Sequence, residues 1–199
     1  MVNYRLATPK DSDNIAKLHF ETYKGTYVWA LLGEEVVQQF YYHFMRSDKT
    51  VVMIAEDDDR LVGFRAISLD GTGPVRSMVM NNLWLFCKTS VRALFTRPAS
   101  SLRFLLNWIR NGQQSKGKEA FAKNYGFGVV KNYRGRGIGR LLLIKSEEYL
   151  EAIGVKRIEV SIRCDNVVTL NLCRTLGYEI THEFTYFPDT RMYYLVKEF

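Results

Sequence analysis

The run Val129-Val130-Lys131-Asn132-Tyr133-Arg134-Gly135-Arg136-Gly137-Ile138-Gly139-Arg140 carries the most information in this chain. Before it, Phe121 to Val130 has the composition of a strand. After it, Arg140 to Ile153 places apolar residues at helical spacing, with Gly154 positioned to end the helix. A strand therefore passes through a loop of glycine and arginine and enters an amphipathic helix. Glycine lets backbone approach a ligand closely, and the first helical turn carries N–H groups with no intrahelical partner. Those donors and the positive end of the helix dipole favour an anion, and Arg134, Arg136 and Arg140 add fixed charge. The spacing reads as a pyrophosphate cradle. It is not the Gly-x-Gly-x-x-Gly of dinucleotide-binding folds, because Arg140 stands at the third glycine position. Nor is it a P-loop, since no Gly-Lys-Ser/Thr follows.

The segments around the loop complete a pattern. Tyr4 to Ala7 reads as an opening strand, and Thr8-Pro9-Lys10-Asp11 as a helix start with Thr8 as N-cap and an acid at N3. An aromatic loop, Tyr23 to Trp29, precedes a second helix that begins near Gly33-Glu34. Val51 to Glu56 and Leu61 to Ser68 form a hairpin around Asp57-Asp58-Asp59-Arg60. Beyond the glycine loop, Val155 to Ile162 alternates as a strand, and Asn166 to Leu176 is a short helix ended by Gly177. Tyr178 to Tyr186 and Arg191 to Val196 are closing strands. The order β-α-α-β-β-(insert)-β-α-β-α-β-β predicts one mixed α/β domain spanning residues 1–199, with residues 71–118 as a helical insertion between the third and fourth strands.

Composition narrows the class further. The 199 residues are 47% hydrophobic and carry a formal charge of +7, so a disordered polyelectrolyte is excluded. Gly71 to Lys118 contains eight basic residues and no acid, so the charge sits in the insertion and the remainder is nearly neutral. Met1 to Pro9 lacks the apolar run of a secretory signal, and the longest uncharged run, Ser77 to Cys87, is too short to span a bilayer. Cys87, Cys164 and Cys173 are an odd number without paired spacing, and the three histidines are scattered. The expectation is a cytoplasmic protein with no metal site.

Arg134, Gly137 and Gly139 fit the pattern Arg/Gln-x-x-Gly-x-Gly/Ala. The loop resembles that of the GNAT superfamily, the acetyl-CoA-dependent N-acetyltransferases, with Lys131 where the family usually has proline. A second stretch, Asn166-Val-Val-Thr169-Leu-Asn-Leu172-Cys173-Arg-Thr-Leu-Gly177-Tyr178, is similar to the family's Asn-x-x-Ala-x-x-Leu-Tyr-x-x-x-Gly-Phe. The resemblance covers the chain outside residues 71–118 and implies a mostly antiparallel central sheet flanked by helices. It also implies that the strand before the loop splays from its neighbour and pairs with the pantetheine arm. On that mapping Phe127, Gly128, Val129 and Val130 hold pantetheine and thioester. Amides of Arg134, Gly135, Arg136, Gly137, Ile138, Gly139 and Arg140 hold the pyrophosphate, and Asn166 bonds the cofactor arm. A neutral amine would attack the acetyl carbonyl directly, with N–H groups of the splayed strand stabilising the oxyanion.

Where the family usually has a tyrosine that protonates the departing CoA thiolate, this chain has Cys173, whose side chain is shorter. Cys173, Tyr178, Tyr186 and solvent water are the candidate acids. Glu21, Glu119 and His182 are candidate bases, and a water chain is a further route for the proton. Tyr23, Tyr27, Trp29, Tyr186 and Phe187 are read as loop residues flanking the acceptor pocket, which favours a small-molecule amine such as an amino sugar or amino acid. A protein N-terminal or lysine acceptor is the alternative within the class. A non-catalytic CoA-binding or nucleic-acid-binding module is the alternative outside it, although nucleic acid is disfavoured because the charge is local. The insertion reads as helices packing an aromatic face on the body, with a homodimer left open.

Overall fold

A computed structural model describes residues 1–23, 33–71, 79–96, 121–186 and 190–199. Seven strands form one sheet: β1 (Asn3–Leu6), β2 (Thr50–Asp57), β3 (Arg60–Ser68), β4 (Ala122–Val129), β5 (Arg157–Arg163), β6 (Glu179–Tyr186) and β7 (Thr190–Glu198). Their order is β1-β2-β3-β4-β5-β7-β6. Only β4 and β5 run parallel; every other neighbouring pair is antiparallel. The hairpin β2–β3 turns at Asp58 and Asp59, both with positive φ, a conformation Asp tolerates better than most residues.

Helices α1 (Ser12–Tyr23) and α2 (Glu34–Phe44) lie against one face of the sheet. They bury Ile15, Leu18, Val37, Phe40, Tyr41 and Phe44 with Val52, Ile54 and Phe64. Between β3 and β4 the described residues include a third helix, α3 (Leu83–Thr96). Helix α4 (Ile138–Ala152) contributes Ile138, Leu142, Leu143 and Leu150 to the core, and α5 (Val167–Thr175) contributes Leu170 and Cys173. Alternation explains the sheet's share: Ile158, Val160 and Ile162 face one apolar cluster from β5.

Three boundaries differ from the sequence reading. Pro9–Asp11 forms a short 3-10 turn and α1 proper begins at Ser12; the Asp11 carboxylate accepts from the Thr8 amide at 2.7 Å and the Thr8 hydroxyl at 2.9 Å. Tyr23 is the last residue of α1 and not a loop residue, while Tyr186 ends β6, as the reading of Tyr178 to Tyr186 as a strand has it. Helix α4 starts at Ile138, two residues before Arg140. In the insertion, Trp84 is 80% exposed on α3, so its ring does not pack on the body as an aromatic face would. Phe104, Trp108, Tyr27, Trp29, Glu119 and Phe187 lie outside the described residues, as do the side chains of Phe86 and Phe95.

One polar feature of the core has no counterpart in the sequence reading. Arg65, in the middle of β3, is fully buried. Its guanidinium donates to Glu147 Oε1 at 3.2 Å, Ser146 Oγ at 2.8 Å and Tyr178 Oη at 2.8 Å. Further bonds reach Leu143 O and Asn124 Oδ1, each at 3.2 Å. Tyr178 donates to Glu147 Oε1 at 2.6 Å, and Lys197 Nζ reaches Glu147 Oε2 at 2.7 Å. A buried cation is tolerated only when paired and fully hydrogen-bonded, and this network supplies both conditions. It ties β3, β4, α4, β7 and the approach to β6 together under the site.

Candidate active site

The parallel pair β4–β5 is matched only at Ala122 with Ile158 and Lys123 with Glu159. Beyond those positions β4 continues to Val129 along β3 while β5 continues to Arg163 along β7, so a wedge opens between them. A bulge accompanies the divergence: Asn124 and Gly126 pair with Ile67 and Ala66, leaving Tyr125 as the extra residue. Hydrogen bonding in an antiparallel ladder alternates along the strand. The Val130 amide donates to Val62 O at 2.9 Å, so Gly128 and Gly126 also face β3. Phe127 and Val129 must then turn their amides and carbonyls into the wedge. Two contacts agree: Arg134 Nε donates to Val129 O at 3.0 Å, and the Tyr23 hydroxyl engages both backbone groups of Phe127.

The wedge leads to the glycine loop. Gly135 and Gly137 have φ of +77° and +78°, and a Cβ on either would meet nothing within 4 Å. The left-handed conformation, not crowding, is what glycine supplies there. Gly137 caps α4, and the first intrahelical bond runs from Leu141 N to Gly137 O at 3.0 Å. The amides of Ile138, Gly139 and Arg140 are thus the helix's unpartnered first donors. Gly139 acts through space: a Cβ would lie 3.2 Å from the Phe127 ring, so its absence lets the first turn of α4 rest on β4. Arg134, Arg136 and Arg140 are exposed around this end, with Arg136 5.0 Å from the centre of the Tyr133 ring. Open space, oriented amides and three arginines fit a pyrophosphate. The edge groups of Phe127 and Val129 fit an amide-bearing arm. These are the residues expected from the sequence, gathered along one continuous path.

The opposite face of β4 is closed by α1. A Cβ on Gly126 would lie 2.7 Å from Tyr41 Oη and 3.2 Å from His19 Nδ1, and one on Gly128 2.9 Å from Thr22 Oγ1. Only glycine at both positions lets the last two turns of α1 settle on the strand. That contact delivers Tyr23 to the wedge: its hydroxyl donates to Phe127 O at 2.8 Å and accepts from Phe127 N at 3.0 Å. The His19 ring lies 4.5 Å from the Tyr23 ring, and His19 Nδ1 shares a 2.8 Å hydrogen bond with Tyr41 Oη. Burial pushes His19 down to about 3, so the imidazole is neutral. Neither His19 nor the Tyr23–Phe127 contact was legible as part of the site. The alternating glycines of Gly126-Phe127-Gly128 were the available signal, since glycine inside a strand marks close backbone approach.

The other candidates are dispersed. Cys173 is 1% exposed among Ile158, Val160, Leu170 and Leu195, and burial pushes its thiol up to about 11. The Tyr178 hydroxyl is held by Arg65 and Glu147, and burial raises its pKa. Tyr186 ends β6 half-buried, also with a raised pKa from burial. Glu21 is exposed on the last turn of α1, two residues before Tyr23. His182 is exposed on β6 and stacks on Tyr194, ring centres 4.8 Å apart. Asn166 caps α5, its Oδ1 accepting from the Thr169 amide at 3.2 Å. Among the described residues no cluster of three His, Cys, Asp or Glu side chains is placed to hold a metal, and no helix is long and apolar enough to cross a membrane.

Comparison with known proteins places these features in context. Residues 13–178 match the acetyltransferase (GNAT) family. An uncharacterized N-acetyltransferase of Methanocaldococcus jannaschii is 22% identical over 175 residues, covering 88% of this chain; the chain spans only 59% of that relative's length. Among solved structures, a ribosomal-protein-alanine N-acetyltransferase from Brucella melitensis aligns with TM-score 0.65 at 16% identity, covering 99% of both chains. NAA60 of Arabidopsis thaliana in complex with acetyl-CoA aligns with TM-score 0.64 at 15% identity, covering 100% of this chain and 98% of that one. At these identities the structural likeness is one of fold.

Proposed function

This chain belongs to the acetyltransferase (GNAT) family, whose members use acetyl-CoA, and we propose that it transfers the acetyl group to a primary amine of a small molecule. The observation that carries this reading is the wedge between β4 and β5, whose edge groups on Phe127 and Val129 lead directly to the donor-rich start of α4. In it, amides of Ile138 to Arg140 and the side chains of Arg136 and Arg140 hold the pyrophosphate. Arg134 braces the loop against Val129, and Asn166 Nδ2 meets the pantetheine arm. A backbone N–H in the wedge takes the developing oxyanion, a contribution of about 3–4 kcal/mol for one well-placed donor. Glu21, exposed on the last turn of α1, is the proposed acceptor of the proton an ammonium substrate loses before it attacks as the neutral amine. The same reading keeps residues 71–118 as an insertion in a single domain and places the protein in the cytoplasm, where its free cysteines stay reduced.

A protein N-terminal amine is the second reading, favoured by the ribosomal-protein-alanine enzyme among the structural neighbours. Release of CoA thiol from acetyl-CoA, followed with a panel of amino sugars, amino acids, polyamines and short peptides, separates the two. Turnover on a small amine is expected. Turnover confined to peptides would move the acceptor to protein, and no release with any acceptor would leave a CoA-binding module.

A further inference from the structure

The acyl-transfer step requires a proton donor for the departing thiolate, and two of the candidates, Cys173 and Tyr178, are committed elsewhere. Cys173 is sealed in the apolar cluster and the Tyr178 hydroxyl is bound into the Arg65–Glu147 network. Tyr23 is differently placed. It comes from the other face of the sheet, at the end of α1, and its hydroxyl sits on the amide and carbonyl of Phe127, both of which open into the wedge. It is held there by the close approach of α1 to Gly126 and Gly128 and by the adjacent His19 ring.

We propose that Tyr23 is the general acid of this enzyme, delivering its hydroxyl proton to the sulfur of CoA as the thioester is cleaved. The assignment rests on the acetyltransferase reading above. The Tyr23 oxygen now occupies the acceptor position on the Phe127 N–H, which is where a thioester oxygen would be received. Oxygen and sulfur of a thioester share one carbon, so the displaced hydroxyl lies beside the sulfur and its donor turns from Phe127 O to that atom. The balance is simple. The amine lone pair forms the C–N bond, and the C–S bond breaks with its electron pair on sulfur. The Tyr23 proton moves to sulfur to give the free thiol. The phenolate then takes the proton shed by the acylated nitrogen, which regenerates Tyr23 and leaves amide and CoA. Burial favours the protonated phenol at neutral pH, the form an acid needs.

The test uses the full chain, with Tyr23→Phe and with a fluorinated tyrosine at position 23 as a nearly isosteric second variant. Removing a general acid is expected to lower kcat by about 100-fold or more while acetyl-CoA affinity, measured by calorimetry, stays near the wild-type value. A readout independent of turnover comes from the thiol of bound CoA, titrated by its thiolate absorbance. A phenol donating to sulfur favours the thiolate, so the thiol should ionise at lower pH in the wild type than in Tyr23→Phe. The more acidic fluorinated phenol should move the alkaline fall of kcat to lower pH, because activity is lost when the donor deprotonates. Unchanged kcat, or reduced kcat with an unchanged thiol titration and an unmoved alkaline limb, would overturn the assignment and leave the acetyltransferase reading standing. A wild-type protein that neither binds acetyl-CoA nor releases thiol would overturn that reading, and this one with it.

Discussion

Replacing Glu147 with alanine is expected to remove about 3–5 kcal/mol of folding stability, the usual cost of leaving one member of a buried ion pair unpaired. The reason is asymmetric. Arg65 is fully enclosed, and among the described residues its carboxylate partner is Glu147, at 3.2 Å. Without it, the guanidinium remains in the core with the neutral partners seen among the described residues, Tyr178, Ser146, Asn124 and the Leu143 carbonyl. Arg65→Met should cost less, because Glu147 keeps Lys197 at 2.7 Å and Tyr178 at 2.6 Å, and a methionine chain fills much of the arginine's volume. Denaturant unfolding of both variants measures the difference. Equal losses would mean that the pair is not the source of the stability. Against a typical total of about 5–15 kcal/mol, the Glu147→Ala loss is large enough to lower yield as well as midpoint.

Gly137→Asp should separate binding from folding. The position has φ of +78° and open space around it, and aspartate both tolerates that conformation and favours a helix start. Folding stability should therefore change by no more than about 1 kcal/mol. The new carboxylate would stand at the mouth of the anion cradle. One unit charge repelling another at roughly 8 Å, with an effective dielectric near 20, costs about 2 kcal/mol, or about 30-fold in acetyl-CoA affinity. Gly137→Asn is the control, since it shares the shape without the charge and should keep most of the affinity. The Asp penalty should shrink as salt rises, because the site is exposed to solvent. Equal affinity in the Asp and Asn variants would show that no anion binds there.

Much of the fold, and the geometry of the glycine loop, could be read from residues because both rest on local signals. Alternation in Val155 to Ile162, the turn at Asp57 to Arg60 and the Gly-Arg loop before an amphipathic helix each report their own structure. The start of α4 moved to Ile138 because the left-handed Gly137 can itself cap the helix, so no residue of the cradle is spent on a longer loop. What could not be read depends on contacts distant in sequence. Arg65 is a charge within the apolar run Val62 to Ile67, and nothing local indicates that Glu147, 82 residues on, receives it. The end of α1 at Tyr23 is likewise non-local, since Phe127, which it meets between Gly126 and Gly128, lies 104 residues on. The basic excess of residues 71–118 is equally non-local: α3 exposes Trp84, and charge counting does not say what that face meets.

The most direct test of the account is a titration of acetyl-CoA into isotopically labelled protein, following backbone amide resonances. Saturable shifts are expected at Phe127 and Val129, in the wedge, and at Ile138, Gly139 and Arg140, at the start of α4, with the amides of β1 undisturbed. Shifts absent from both groups at saturating acetyl-CoA, or confined to residues outside them, would contradict the cofactor path and the acetyl transfer built on it.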